Sequence, residues 1–196
     1  MAVGPSSGPR LRNALRPLRH LDVRRERNRG YDRAKFADWY DANGDGCNTR
    51  EEVLIAESVT KVRVGSGCTI RGGKWFSKYD GKTTRSSSTF DIDHLMPLAE
   101  GWGSGARRWG KAKRARLAND LGYRYSLIAV TASSNRSKGD RHPAEWLPPR
   151  RAYRCTYAKT YTATKWRWDL AVDGVERDAL RRLIRGSGQT RRPACG

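Results

Sequence analysis

Residues 88–97 read STFDIDHLMP: apolar Phe90 and Ile92 alternate with Asp91 and Asp93, and Pro97 closes the run. A period of two predicts a short strand ending on Asp93 and His94. The most strongly marked strand of the chain is predicted within RYSLIAVTAS, residues 124–133. Between the two, GSGARRWGKAKRARLA (103–118) reads as a basic helical insertion. After the second strand, SNRSKGDRHPAEWLPP (134–149) predicts a short helix closed by two prolines. YAKTYTATKWRWDLAV and DGVERDALRRLIRG predict two further helices, the second opened by Asp173 and Glu176. Upstream, KVRVGSGCTIRGGKWFSKYDGKT (61–83) predicts two or three short strands and turns. Lys35 to Tyr40 and Thr49 to Ser58 read as helices, with Thr49 and Glu52 as a capping box. Residues 1–30, rich in Arg, Pro, Gly and Ser without sustained periodicity, predict a disordered basic arm. Residues 31–196 then form one domain of mixed α+β class.

Composition narrows the partner. Forty Lys and Arg against twenty Asp and Glu give a formal charge of +20, which favours a polyanion because each neutralised phosphate releases counterions. The alternative reading of the charge is a basic surface kept for solubility, or one suited to anionic lipid; nucleic acid is the expected partner. Seven Trp and eight Tyr supply apolar area where the hydrophobic fraction is only 37%. No run of eighteen apolar residues exists, so no membrane partner is expected. The chain is read as a monomer.

The cysteines are Cys47, Cys68, Cys155 and Cys195, and no pair has the spacing of a zinc or redox motif. Four cysteines allow three connectivities; local closure favours Cys47–Cys68 and Cys155–Cys195. Two disulfides imply an oxidising compartment and hence a secreted protein. The first thirty residues lack the apolar segment of a signal peptide, so a cytoplasmic setting with reduced thiols is the alternative.

Candidate chemistry sits at the strand ends. A strand ending in Asp93-His94, a loop carrying LAND with Asn119, and a strand leading into SSNRSKGD with Asn135 can converge on one site. Mg²⁺ takes few protein oxygens and keeps several waters, a demand met by Asp93 and the Asn135 side-chain carbonyl. A neutral imidazole beside them is suited to taking a proton from water. These stretches, DIDHLMPLAEGWGSGARRW, LAND and TASSNRSKGDRHPAEWLPP, resemble the HNH, or ββα-metal, endonucleases. The likeness is greatest to a secreted actinobacterial branch related to the C-terminal domain of modification-dependent restriction endonucleases. It runs from about Tyr31 to Cys195, with the catalytic core at about 88–148.

The resemblance implies a ββα-metal core with added helices and short strands, and metal-dependent, largely sequence-nonspecific endonuclease activity on DNA, with RNA left open. It implies His94 as the base that activates water, and Asp93 and Asn135 as ligands of one Mg²⁺ or Mn²⁺. Asn119 would fix the loop that orients His94 through its backbone. Products would end in 5′-phosphate and 3′-hydroxyl. Asp91 is a candidate supporting residue, and Lys138 and Arg141 are candidate phosphate contacts. Glu100 reads as a helix-start or surface acid, and Trp75, Trp102 and Trp109 as core residues before base-stacking ones. His20 and His142 show no partners in the sequence. The insertion between His94 and Asn119 is longer than in compact members, so Asn119 departs most from the family pattern.

A second motif, DANGDGCNTREE, fits the calcium-loop pattern, with Asp41, Asn43, Asp45 and Glu52 as ligands and the Cys47 carbonyl as a fifth. Asn48 stands where an aliphatic residue usually anchors such a loop, and no second hand is present. An Asx-rich turn locked by a disulfide fits the residues equally well. Two other classes compete with the nuclease: a basic DNA-binding module with an inactive HNH-like centre, and a calcium-dependent structural module built on residues 41–52. The second leaves Asp93-His94 unexplained.

Overall fold

The computed structural model describes residues 14–186. The two strands expected at the site are β5, Phe90–His94, and β6, Leu127–Thr131, the last of six short strands. They pair antiparallel from Phe90 opposite Thr131 to His94 opposite Leu127. Helix α5, Ala132–Lys138, follows β6 without a loop. The Thr131 hydroxyl caps it by accepting from the Ser134 N–H. It stops at Gly139, where φ is +56°, a conformation glycine adopts without strain. The helix therefore ends well before the two prolines.

Alternation splits β5 between two packing partners. Phe90 and Ile92 face one apolar cluster with Val53, Leu54, Trp75, Leu127 and Ala129. Asp91 and Asp93 face α5 instead, reaching Asn135 and Lys138. The larger core joins Leu95, Met96, Leu98, Ile128 and Val130 to Tyr157, Tyr161, Trp168 and Leu180. Those last residues come from α6, Arg154–Arg167, the Trp168–Leu170 turn after it, and α7, Gly174–Arg185. The Asp173 carboxylate caps α7 by accepting from the Glu176 N–H at 2.7 Å. Two small hairpins, β1 (Val62–Gly65) with β2 (Thr69–Gly72) and β3 (Trp75–Phe76) with β4 (Thr83–Thr84), precede the site. The basic insertion holds α3, Leu98–Gly103, and α4, Lys111–Ala118.

Several expectations need correction. Residues 14–30 are not a disordered arm. Helix α1, Leu15–His20, places Ala14, Leu18 and Leu21 in the main core, and Val23 bridges Val172. Burying those apolar side chains offsets the entropy of ordering the segment. Lys35–Tyr40 is not a helix: a 3₁₀ turn over Arg33–Phe36 is broken at Ala37, with φ +68°. The capping box of α2, Thr49–Glu57, lies one residue earlier than expected, on Asn48 and Glu51. Thr49 is buried and donates its hydroxyl to the Tyr40 carbonyl.

Cys47 and Cys68 form a disulfide, tying the start of α2 to the β1–β2 hairpin. Cys155 is disulfide-bonded, and Cys195 lies outside the described residues. Trp75 and Trp102 are core residues, and Trp109 packs against Trp168. Among the described residues, no helix is long and apolar enough to cross a membrane.

Candidate active site

His94 ends β5 half-buried, held on two sides. Trp39 stacks on its ring, centroids 4.9 Å apart and planes 17° from parallel. Nε2 lies 2.8 Å from the Ala118 carbonyl oxygen. A carbonyl only accepts, so Nε2 carries the proton and Nδ1 keeps its lone pair. Burial holds the His94 pKa down to about 3; the Ala118 contact works against this, and the charges of Arg33 and Lys138 add to it. The imidazole is therefore neutral at physiological pH, the state a base needs.

Asn119 builds this arrangement without touching the imidazole. It is buried at the C-terminal end of α4, and its Nδ2 donates to the carbonyls of Asp38 and Ala115, both at 3.1 Å. Its Oδ1 accepts from the Tyr40 N–H at 3.3 Å. These bonds fix the segment that carries Trp39 onto His94. The carbonyl that orients His94 belongs to Ala118, one residue before Asn119.

Asp93 and Lys138 form a buried pair beside it. The Lys138 ammonium, fully buried, donates to Asp93 Oδ1 at 2.7 Å, Asp93 Oδ2 at 2.9 Å and the His94 carbonyl at 2.8 Å. All three donors of the ammonium are used. The Tyr79 hydroxyl donates to Asp93 Oδ2. Burial raises the Asp93 pKa, with Lys138 and Tyr79 opposing. Lys138 is thus committed inside the protein, not free to meet a phosphate. Arg141 is exposed, and its Nε donates to the Lys138 carbonyl. Asp91 accepts from Asn135 Nδ2 at 3.1 Å.

A cavity of about 350 Å³ opens over His94, Asp93 and Asn135, lined also by Arg33, Trp39 and Arg136. Arg141 and Asp91 are not among its walls. The two arginines and Trp39 carry no motif; the trace of Arg136 in the sequence is its place beside Asn135.

A hard divalent cation takes one or two carboxylates and keeps several waters. Asn135 spends its amide nitrogen on Asp91, leaving Oδ1 as an acceptor. Among the described residues Asp93 Oδ1 accepts from Lys138 alone, which leaves one lone pair. One carboxylate oxygen and one amide oxygen on a single cavity fit such an ion in kind. The ammonium 2.7 Å from that oxygen is the opposing feature, since the cation would share the carboxylate with it.

The other predicted ligand set also converges. Asp41 accepts from the N–H groups of Asn43, Gly44 and Gly46. Asn43 Nδ2 donates to Asp45 Oδ2 and Glu52 Oε1 at 3.0 and 3.1 Å, and Asp45 Oδ1 accepts from the Cys47 N–H. The amide N–H thus sits between two carboxylates that a cation would bridge. The loop has an exit helix, α2, and no entering helix.

Away from the cavity, Glu100 is not a surface acid. It is buried with Lys165, which donates to Glu100 Oε1 at 2.6 Å, Ser104 Oγ at 2.9 Å and Glu176 Oε2. Asp120 accepts from Arg167 Nε and Nη2 and from Trp168 Nε1.

The class defined here is an α+β domain with an antiparallel strand pair, a following helix, and a neutral histidine at the mouth of a basic cavity. Residues 62–183 match the family described as GmrSD restriction endonucleases, C-terminal domain, and the chain belongs to that family. Membership gives it a nuclease-related function with nucleic acid as substrate. The chain is also 43% identical over 155 residues to an uncharacterized secreted protein of the fungus Arthroderma benhamiae, covering 79% of this chain and 74% of that protein. This relative is fungal, not actinobacterial. No solved structure matches the chain.

Proposed function

We propose that the protein is a metal-dependent endonuclease of the HNH type that hydrolyses phosphodiester bonds in DNA with little sequence preference. The observation that carries this reading is the state of His94: neutral, with Nε2 engaged by Ala118 and Nδ1 left as a base at the edge of the cavity. His94 Nδ1 takes the proton of a water whose oxygen bonds to phosphorus as the P–O3′ bond breaks. Trp39 and Asn119 keep the ring from turning. Arg33 and Arg136 bring positive charge to the phosphate. Asn135 and Asp93 would hold a divalent metal, which when bound polarises the phosphate and stabilises the leaving oxygen.

The relative's secretion and the Cys47–Cys68 disulfide support an extracellular protein. One observation favours the rival reading of an inactive DNA-binding module: both Asp93 oxygens already receive protein donors. Plasmid digestion with Mg²⁺ or Mn²⁺, against an EDTA control and a folded His94→Ala variant, separates the two. Metal-dependent cleavage lost in the variant is expected. DNA binding without cleavage under any metal would establish the inactive module, and cleavage surviving His94→Ala would displace the site.

A further inference from the structure

The segment Asp22–Asn28 crosses the far end of α3 from the His94 cavity. Arg27 donates its backbone N–H to the Gly103 carbonyl, and Arg24 donates to the Val172 carbonyl. Gly103 permits this crossing, because a Cβ there would lie 2.1 Å from Asn28 Oδ1. The segment brings Arg24, Arg25 and Arg27 against Arg107 and Arg108 around a cavity of about 620 Å³. Arg24 pairs with Asp22. Among the described residues, no hydrogen bond or ion pair occupies the guanidinium groups of Arg25, Arg27, Arg107 and Arg108.

Glu26 is the one acid in the walls, and it does not neutralise them. Its carboxyl turns toward buried Glu100, and burial and that neighbour raise its pKa to about 8, so it is protonated at neutral pH. Several uncompensated guanidiniums around one cavity repel one another unless an anion joins them. Planar guanidinium forks suit phosphate oxygens.

A second cavity, of about 200 Å³, shares Arg24, Ser104, Arg108 and Ala171 with the first, and adds His20 and Trp166. Trp166 is 37% exposed on an otherwise buried stretch of α6, with His20 edge-on to it at 6.2 Å. Among the described residues the arginine cavity has no aromatic wall, while its neighbour presents one beside the same two arginines. Phosphates on the first and an unpaired base against the second follow the pattern of single-strand binding surfaces. Duplex base pairs stack on each other and keep their faces from a side chain. Leu98 lines the His94 cavity and Gly103 the arginine cavity, so the two sites are separated by the length of α3, about 8 Å at 1.5 Å per residue.

We propose that Arg24, Arg25, Arg27, Arg107, Arg108 and Trp166 form a second nucleic-acid site that holds the backbone and one unpaired base of a single strand running from the His94 cavity. The inference rests on the nuclease reading. It is tested with the full chain in EDTA, by titrating a fluorescein-labelled single-stranded 12-mer and a blunt duplex of the same length at several salt concentrations. Arg25→Ala/Arg108→Ala, both exposed, is expected to weaken single-strand binding and to flatten the log–log salt slope by about 1.4, at roughly 0.7 per phosphate contact. Trp166→Ala is expected to weaken single-strand binding about fivefold or more with little change on the duplex, and Trp166→Phe to retain most of it. An unchanged salt slope, or equal effects of Trp166→Ala on both probes, would overturn the proposal. Mg²⁺-dependent cleavage with an unchanged slope would sink this site and leave the nuclease; the expected binding changes without any cleavage would sink the nuclease and leave the site.

Discussion

Replacing Glu26 by Gln probes the buried acid cluster under the arginine cavity. Glu26, Glu100 and Glu176 place one carboxylate oxygen each within 4.8 Å of one another, with the Lys165 ammonium among them. Burial pushes Glu26 up to about 8 and Glu176 to about 7. At Glu100 burial acts upward too, yet Lys165 and Glu26 outweigh it and bring the pKa to about 2. Glu26 is thus the protonated partner of a carboxyl–carboxylate pair. In the unfolded chain it ionises near its ordinary value of 4.5. From pH 4.5 to 8 the native state therefore holds a proton that the unfolded state lacks, so stability is fully present below 4.5 and falls as pH rises through 8. Between pH 7 and 8, Glu176, half protonated in the native state at pH 7, adds a smaller decline that the variant shares, so the difference between the two proteins isolates Glu26. The limit is about 1.4 kcal/mol per pH unit for one proton; a half-buried coupled group deserves about half of that. One pH unit then lowers stability by about 0.7 kcal/mol, or Tm by roughly 2 °C at this chain length. Glu26→Gln keeps the shape and a hydrogen-bond donor to Glu100 but cannot ionise. Thermal melts of both proteins at pH 7.0, 7.5 and 8.0 should show the wild type declining more steeply than the variant. Parallel declines would refute the shared proton.

Lys138→Met leaves the Asp93 carboxylate buried beside Tyr79 without its cation, and should cost about 3–5 kcal/mol in denaturant unfolding; a loss below 1 kcal/mol would mean that Asp93 is already neutral. Cys47→Ser/Cys68→Ser opens a closure of 21 residues and should cost about 3 kcal/mol by the chain-entropy relation, read as a lower urea midpoint; an unchanged midpoint would show that the Asx turn alone orders the loop. If the 41–52 loop takes calcium, the Asn43 amide rotates to present Oδ1, and millimolar Ca²⁺ should raise Tm over an EDTA control by an amount that Asp45→Ala abolishes; identical melts with and without Ca²⁺ leave the disulfide-locked turn as the sole reading.

Local signals were legible and long-range pairings were not. The alternation in 90–94 marks its strand because one face packs on the apolar cluster, the unbroken apolar run in 127–131 marks its strand because both faces are buried, and Asp173 marks the start of α7 because its carboxylate meets the next turn. At α2, Asn48 with Glu51 and Thr49 with Glu52 satisfy the same capping rule. Tertiary structure decides between them, since the Thr49 hydroxyl is used on Tyr40. The ordered start at α1 had its trace in Ala14, Leu18 and Leu21, spaced four and three residues apart, but Pro17 and the basic Arg16, Arg19 and His20 between them obscured it. Nothing local joins Lys165 to Glu100, 65 residues away, or Arg167 to Asp120, 47 residues away. The same holds at the candidate site: Asp93, His94 and Asn135 could be picked out in the sequence, whereas Trp39, Arg33 and Tyr79 reach the site only through folding.

Lys138 shows why residue type alone could not assign its role. A lysine one helical turn beyond Asn135 looks equally suited to phosphate or to solvent. Its ammonium instead joins α5 to β5 through Asp93 and the His94 carbonyl, fixing the helix against the strand that carries the candidate base. Buried ion pairs of this kind add little net stability compared with an apolar pair, but losing one partner is costly. The contact therefore acts mainly by setting geometry. It also draws on the carboxylate that a catalytic metal would need. On the proposed reading, the orientation of His94 and the capacity of Asp93 to hold a cation would depend on one shared hydrogen-bonded group, so metal affinity and the positioning of the base would be coupled through Lys138.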